Sequence, residues 1–227
     1  MNDVLTKKIT SKSPMHMVLV VDDSGSMRGD PAALATKALR AWVSELDVAT
    51  QGTRPYFRFS LIQFGSQPTI VAENLDVRKV DVTDFQLAGE SGSTNLAAAL
   101  NAAREVLLRD GATSAHCPPF VFLFTDGHPT DSNGHTSEAA TQAALDAAGA
   151  LKVLPLPCGS PFLVALGYGD INDDNMRKLA SRPDLYHRLP NMAALVKVLP
   201  SIGTPTVQGG GTVGTFVAQI AGGIQER

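Results

Sequence analysis

Along the chain, short unbroken apolar runs alternate with longer stretches in which apolar residues recur every three or four positions. The first run, Met17 to Val21 in "HMVLVV", is rich in β-branched residues and reads as a strand buried on both faces. Asp30-Pro31 then reads as an N-cap followed by proline in the first helical turn, and Ala35, Leu39, Trp42 and Leu46 lay one apolar stripe along a helix. "YFRFSLIQF", Tyr56 to Phe64, alternates Phe57, Phe59 and Leu61 with Arg58 and Ser60, the period of a strand. "PTIVAEN" predicts a weaker, shorter strand. After the loop "LAGESGSTN", Leu96, Ala99, Leu100, Ala103, Val106 and Leu107 predict a second amphipathic helix. An apolar strand follows at Val121 to Phe124, then an alanine-rich helix from about Thr136 to Leu151 and a strand in "FLVALGYG". A helix around Asn172 to Ala180, a short strand in "DLYHRL" and a helix "NMAALVKVL" capped by Asn191 complete the series.

Strands alternating with helices predict an α/β fold: a three-layer, doubly wound, mainly parallel sheet with helices on both faces, right-handed crossovers and one short antiparallel edge strand. At 227 residues the chain suits one domain, read here as 16–201, with an N-terminal extension over 1–15. Residues 202–227 break the pattern with repeated glycine and are expected to form a flexible tail, docked in part near Phe216 to Ile220.

Charge and composition narrow the function. A net charge of −3 supplies no broad basic field, so nucleic-acid binding is not expected. No apolar run approaches the length of a membrane span, and "MNDVLTKKITSKSP" lacks the apolar middle of a signal peptide. The expected compartment is the cytoplasm, where Cys117 and Cys158 are expected as reduced, inert thiols.

Three loops carry the candidate chemistry. They are Asp22-Asp23-Ser24-Gly25-Ser26 after the first strand, Ser93-Thr94 before the second helix, and Thr125-Asp126-Gly127 after the "VFLF" strand. In an open α/β sheet, ligands sit beyond the carboxyl ends of the strands where strand order reverses, and these loops are expected to converge there. Asp22, Ser24 and Ser26 are spaced by two, which in extended backbone puts their side chains on one side, and Gly25 permits a sharp turn around an ion. "DDSGS" fits the pattern Asp-x-Ser-x-Ser, "GSTN" carries a threonine and "FTDG" a second aspartate. Together they resemble the metal-ion-dependent adhesion site of a von Willebrand factor A domain over roughly Met17 to Leu199. Within that family, "SGSMRGDP", "GSTNLAAAL" and "FTDGHPTD" look most like bacterial tellurite-resistance proteins of the TerY type.

The resemblance implies that Ser24 and Ser26 ligate a metal directly, Thr94 directly or through water, and Asp22 and Asp126 mostly through water and supporting hydrogen bonds. It implies Mg²⁺, with Ca²⁺ or Mn²⁺ as alternatives, since all the donors are hard oxygens. It also implies a non-enzymatic module that binds a partner's Asp or Glu, with stress-response proteins such as kinases and phosphatases as partners. Finally, it implies a shift of the helix Asn191 to Leu199 when an acidic ligand binds. Asp23 departs from the family pattern: it either adds negative charge near the metal or faces away.

Simpler readings stand beside these. Thr94 could serve only as a helix cap, Asp126 as an ordinary Asp-Gly turn residue and Arg28 as a solvated arginine rather than a contact for an acidic partner. His128 and His135, near Asp126 and Asp131, lack the spacing of a soft-metal site and read as exposed loop residues. A rival function is Mg²⁺-dependent phosphotransfer of the haloacid-dehalogenase type, with "VLVVDDS" as the nucleophile strand end and Gly169-Asp170 with Asp174 as the later acidic motif. That chemistry wants Asp-x-Asp, and adjacent carboxylates should diverge. A third reading is a scaffold whose metal only stabilises the fold.

Overall fold

The computed structural model describes residues 2–50, 57–131, 133–201 and 211–223. Seven helices and six strands are named here in chain order: α1 (Asn2–Thr6), β1 (Met15–Asp22), α2 (Asp30–Thr50), β2 (Phe57–Phe64), β3 (Pro68–Asp76), α3 (Leu96–Arg109), β4 (Phe120–Thr125), α4 (Glu138–Lys152), β5 (Phe162–Gly167), α5 (Asp173–Leu179), β6 (Tyr186–Arg188), α6 (Met192–Ser201) and α7 (Val213–Gly223). The sheet order is β3-β2-β1-β4-β5-β6. Every neighbouring pair runs parallel except β2 with β3. This is the expected α/β fold. The central strands β1 and β4 are buried along their whole length, as a sheet sandwiched between helices requires.

β1 lies between β2 and β4, so the chain winds outward in opposite directions on its two sides. The crevice at the carboxyl ends of β1 and β4 is therefore the switch point where such sheets bind ligands. The N-caps of α3, α4 and α5 are Asn95, Ser137 and Asn172, whose side chains accept from backbone N–H groups of the first turn. Asn191 does the same for Ala194 ahead of α6.

One strand differs from expectation. β3 was expected to be short, yet it runs nine residues. As the antiparallel edge it buries only Ala72 fully, so few of its positions had to be apolar. A bulge breaks its register opposite Ser60, where Asn74 takes φ 52° and donates its N–H to Ser60 Oγ at 2.8 Å. In the glycine-rich C-terminal segment, residues 202–210 and 224–227 lie outside the described residues, as does Tyr56 at the start of the second expected strand. Residues 213–223 form α7, which docks the segment near Phe216 to Ile220 as expected and buries Val213, Phe216, Val217 and Ile220. Phe216 meets Phe120 edge-on at 4.8 Å and Phe57 at 6.4 Å, both first residues of their strands. The helix thus closes the amino end of the sheet. α1 lies beside it, with Lys8 bridged to Thr212.

Candidate functional site

The five residues singled out from the sequence meet at the carboxyl ends of β1 and β4. Asp22, the last residue of β1, is fully buried. One carboxylate oxygen accepts the Ser24 N–H at 2.9 Å, and the other accepts the Thr125 hydroxyl at 2.6 Å. Ser24 is extended at φ −68° and ψ 171°, and Gly25–Met27 then coil into a single 3₁₀ turn. The loop is therefore not extended through Ser26, as spacing by two had suggested; the turn is what brings Ser26 Oγ to 3.0 Å from Ser24 Oγ. Ser26 donates onward to Asp126 Oδ1 at 2.7 Å.

Thr94 completes the group. Its hydroxyl and that of Ser26 border the same point: a Cβ placed on Gly127 would lie 3.4 Å from Thr94 Oγ1 and 3.9 Å from Ser26 Oγ. Capping of α3 falls to Asn95, whose side chain accepts from Ala98 N–H, and not to Thr94. The Thr94 carbonyl accepts from Thr130 N–H at 2.9 Å, which ties this loop to the one after β4. Ser24, Thr94 and Asp126 are buried, whereas Ser26 is exposed, so the cluster opens to solvent on one side.

The electrostatics suit a cation. Burial pushes the Asp22 carboxyl up to about 6, against hydrogen bonds from Ser24 and Thr125 that lower it, while the nearby Asp126 charge adds to the rise. Asp126 is raised as well, chiefly by burial, with the Ser26 bond opposing. Neither carboxylate has a basic partner among the ion pairs of the described residues. Two buried carboxylates beside three hydroxyls form a hard-oxygen donor set that suits a divalent cation.

A family model described as von Willebrand factor type A domain matches residues 16–200. The chain belongs to that family. No curated protein matches the VWA chain. Among solved structures it is similar to the pilus adhesin SpaC of Lactobacillus rhamnosus GG, with a TM-score of 0.71 and 19% identity over 89% of this chain and 31% of that one. A von Willebrand factor type A protein of Catenulispora acidiphila gives a TM-score of 0.63 and 15% identity, covering 91% of this chain and 51% of that one. Proximal thread matrix protein 1 of the mussel byssus, solved with a zinc-occupied MIDAS motif, gives 0.58 and 16%, covering 86% and 48%. This VWA chain thus spans about a third of SpaC and about half of the other two. At these identities the likeness is one of fold.

The phosphotransfer alternative finds no support. Asp22 points to Ser24 and Thr125, while Asp23 points to the Ala88–Ser91 loop, so the paired carboxylates that chemistry needs are not assembled. Asp170 is almost fully exposed, with His128 Nε2 at 3.8 Å from its carboxylate. His135 lies 3.9 Å from Asp131, and among the described residues no group of three His, Cys, Asp or Glu able to hold a metal occurs. Cys117 and Cys158 are both buried and unbridged, and burial pushes the Cys117 thiol up to about 11. Among the described residues no helix is long and apolar enough to cross a membrane.

Sequence reasoning missed Thr125 as a supporting residue. Its position one residue before Asp126, at the end of β4, was the available signal.

Proposed function

We propose that this VWA chain is a non-enzymatic, divalent-cation-dependent interaction module that captures an Asp or Glu side chain of a partner protein. The observation that carries the reading is the chain of contacts Ser24 Oγ to Ser26 Oγ to Asp126 Oδ1, at 3.0 and 2.7 Å, beside Thr94 at the switch point of the sheet. In this reading Ser24 and Ser26 hold the cation directly, and Thr94 does so directly or through water. Asp22 and Asp126 balance its charge through water and through the hydroxyls and N–H groups they orient. Because neutral hydroxyls supply most of the direct bonds, the bound cation keeps an electrophilic position that a carboxylate can fill.

Mg²⁺ is the ion we assign, with Ca²⁺ or Mn²⁺ as alternatives, on the hardness of the donors. The zinc-occupied site of the mussel protein supports a divalent ion in this fold, and the adhesin SpaC supports an interaction role. On the TerY-type resemblance we assign the partner to bacterial tellurite or stress-response proteins, kinases and phosphatases among them, and the chain to the cytoplasm.

The test is affinity purification from the native cell with Mg²⁺, with chelator, and with the Asp22→Ala/Ser24→Ala double variant, alongside calorimetric titration with Mg²⁺. Partner capture and Mg²⁺ binding are both expected to disappear with chelator and in the double variant. Retention of both by the double variant would overturn the reading.

A further inference from the structure

Asp23 lies between two residues of the cluster in sequence, and the structure gives its carboxylate a destination of its own. The side chain turns away from Ser24, Ser26 and Asp126 into the loop that leads to Thr94 and is buried there. Oδ1 accepts the backbone N–H groups of Ala88 and Gly89, both at 2.7 Å, and Oδ2 accepts the Ser91 hydroxyl at 2.7 Å. The backbone adds to the grip: Ser91 N–H donates to Asp23 O at 3.0 Å and Gly25 N–H to Gly92 O at 2.8 Å.

The loop so held has little room to move. A Cβ on Gly89 would come within 2.3 Å of Arg28 N, and one on Gly65 within 2.0 Å of Ser91 O, so backbone packs directly on backbone. Ser66 Oγ accepts Ser93 N–H at 3.0 Å, one residue before Thr94. Charge-assisted hydrogen bonds are the strong ones in this set, and Asp23 supplies all three that join the first loop to the second through a side chain.

We infer that Asp23 is a positioning residue: its carboxylate clamps Ala88, Gly89 and Ser91 and so steadies the loop that presents the Thr94 hydroxyl beside Ser26, where a cation would be held. The inference rests on the metal reading above. It makes Asp23 a determinant of which ion the site prefers. Mg²⁺ demands near-ideal octahedral geometry, whereas Ca²⁺ accepts longer and irregular bonds. Loosening the Thr94 loop therefore costs Mg²⁺ more than Ca²⁺.

The experiment titrates the full chain with Mg²⁺ and with Ca²⁺ by calorimetry, for the unaltered protein and for Asp23→Ala, Asp23→Asn, Ser91→Ala and Ser26→Ala. Hydrogen exchange is followed at Ala88 and Gly89 in the metal-free state. Asp23→Ala is expected to weaken Mg²⁺ binding roughly tenfold or more and Ca²⁺ binding by about threefold, and to speed exchange at both amides while α3 stays protected. Asp23→Asn keeps an oxygen for the two N–H groups, and the Ser91 hydroxyl can turn to accept, so it should stay within about threefold for both ions. If Asp23→Ala does not fold, Ser91→Ala carries the test, because it removes one bond and leaves the charge. It should lower the Mg²⁺ to Ca²⁺ affinity ratio.

Three results would overturn the inference alone: Mg²⁺ binding unchanged in a folded Asp23→Ala or Ser91→Ala, an Asp23→Asn loss equal to that of Asp23→Ala, or equal losses for the two ions. Absence of binding of either ion to the unaltered chain, or unaltered binding in Ser26→Ala, would overturn the metal reading first and this inference with it.

Discussion

Ser26 Oγ donates a 2.7 Å hydrogen bond to Asp126 Oδ1 across 100 residues of chain. The bond joins the turn after β1 to the turn after β4, the two strands that flank the point where the sheet changes direction. Because Ser26 is exposed and Asp126 buried, the pair marks the mouth of the cluster, where removing one hydroxyl should affect ion binding more than folding.

Ser26→Ala is accordingly expected to weaken Mg²⁺ binding at least roughly tenfold, about 1.4 kcal/mol. Metal-free stability should fall by less, about 1 kcal/mol or under, since water at the open mouth can replace the lost hydrogen bond to Asp126. Calorimetric titration paired with a urea melt in chelator measures both. A stability loss that matches the affinity loss would argue for a structural role only.

Asp22 makes metal-free stability depend on pH. Its folded value of about 6 lies above the ordinary 3.8, so its contribution is fully present below 3.8 and lost as pH rises through 6. At neutral pH the metal-free protein carries a penalty of about 3 kcal/mol from this one group. In chelator Asp22→Asn should therefore be the more stable protein at neutral pH, with the advantage vanishing near 3.8. Its Mg²⁺ binding should nonetheless be weaker.

His187 runs the other way. Burial pushes its imidazole down to about 4 from 6.5, so its contribution is present above 6.5 and lost as pH falls toward 4. The two groups oppose each other in one window. The metal-free unaltered protein should show a shallow profile there, and Asp22→Asn a steeper loss on acidification. Melts across that pH range in chelator check the pair, and parallel profiles for the two proteins would count against it.

Phe216→Ala should cost about 3–5 kcal/mol, the usual range for removing a buried phenylalanine. Phe216 seats against Phe120 and Phe57 at the amino end of the sheet, opposite the oxygen cluster. Mg²⁺ affinity measured well below the melting temperature should therefore stay unchanged, so the variant separates fold stability from site chemistry.

The coupling of α6 to ligand, which the family resemblance implies, is tested by hydrogen exchange over Met192–Ser201 with Mg²⁺ and a saturating acidic peptide. Leu195 and Leu199 on this helix face Leu19, Val21, Phe122 and Phe124, the strands whose ends carry the site. A ligand shifts the helix only if it binds two arrangements unequally. Exchange unaltered by peptide would remove the idea.

The period of apolar residues, together with the cap Asn191, was enough to determine most elements and the layer order of the fold, because a doubly covered sheet forces unbroken apolar strands and one-sided helices. It also placed Asp22, Ser24, Ser26, Thr94 and Asp126 at strand and helix ends. Where apolar burial was thin, the pattern said least: β3 buries one position fully and runs longer than expected, while α7, docked around Phe216 to Ile220 as expected, carries three glycines whose cost is offset when Phe216 reaches the strand ends. Only the tertiary structure decided that the Asp22 and Asp23 carboxylates part company. It also decided that Asn95, not Thr94, caps α3, and that Gly25–Met27 coil so that Ser26 meets Asp126. Local sequence sets backbone preference, but the direction of a buried polar side chain is fixed by whichever distant donors burial leaves it to satisfy.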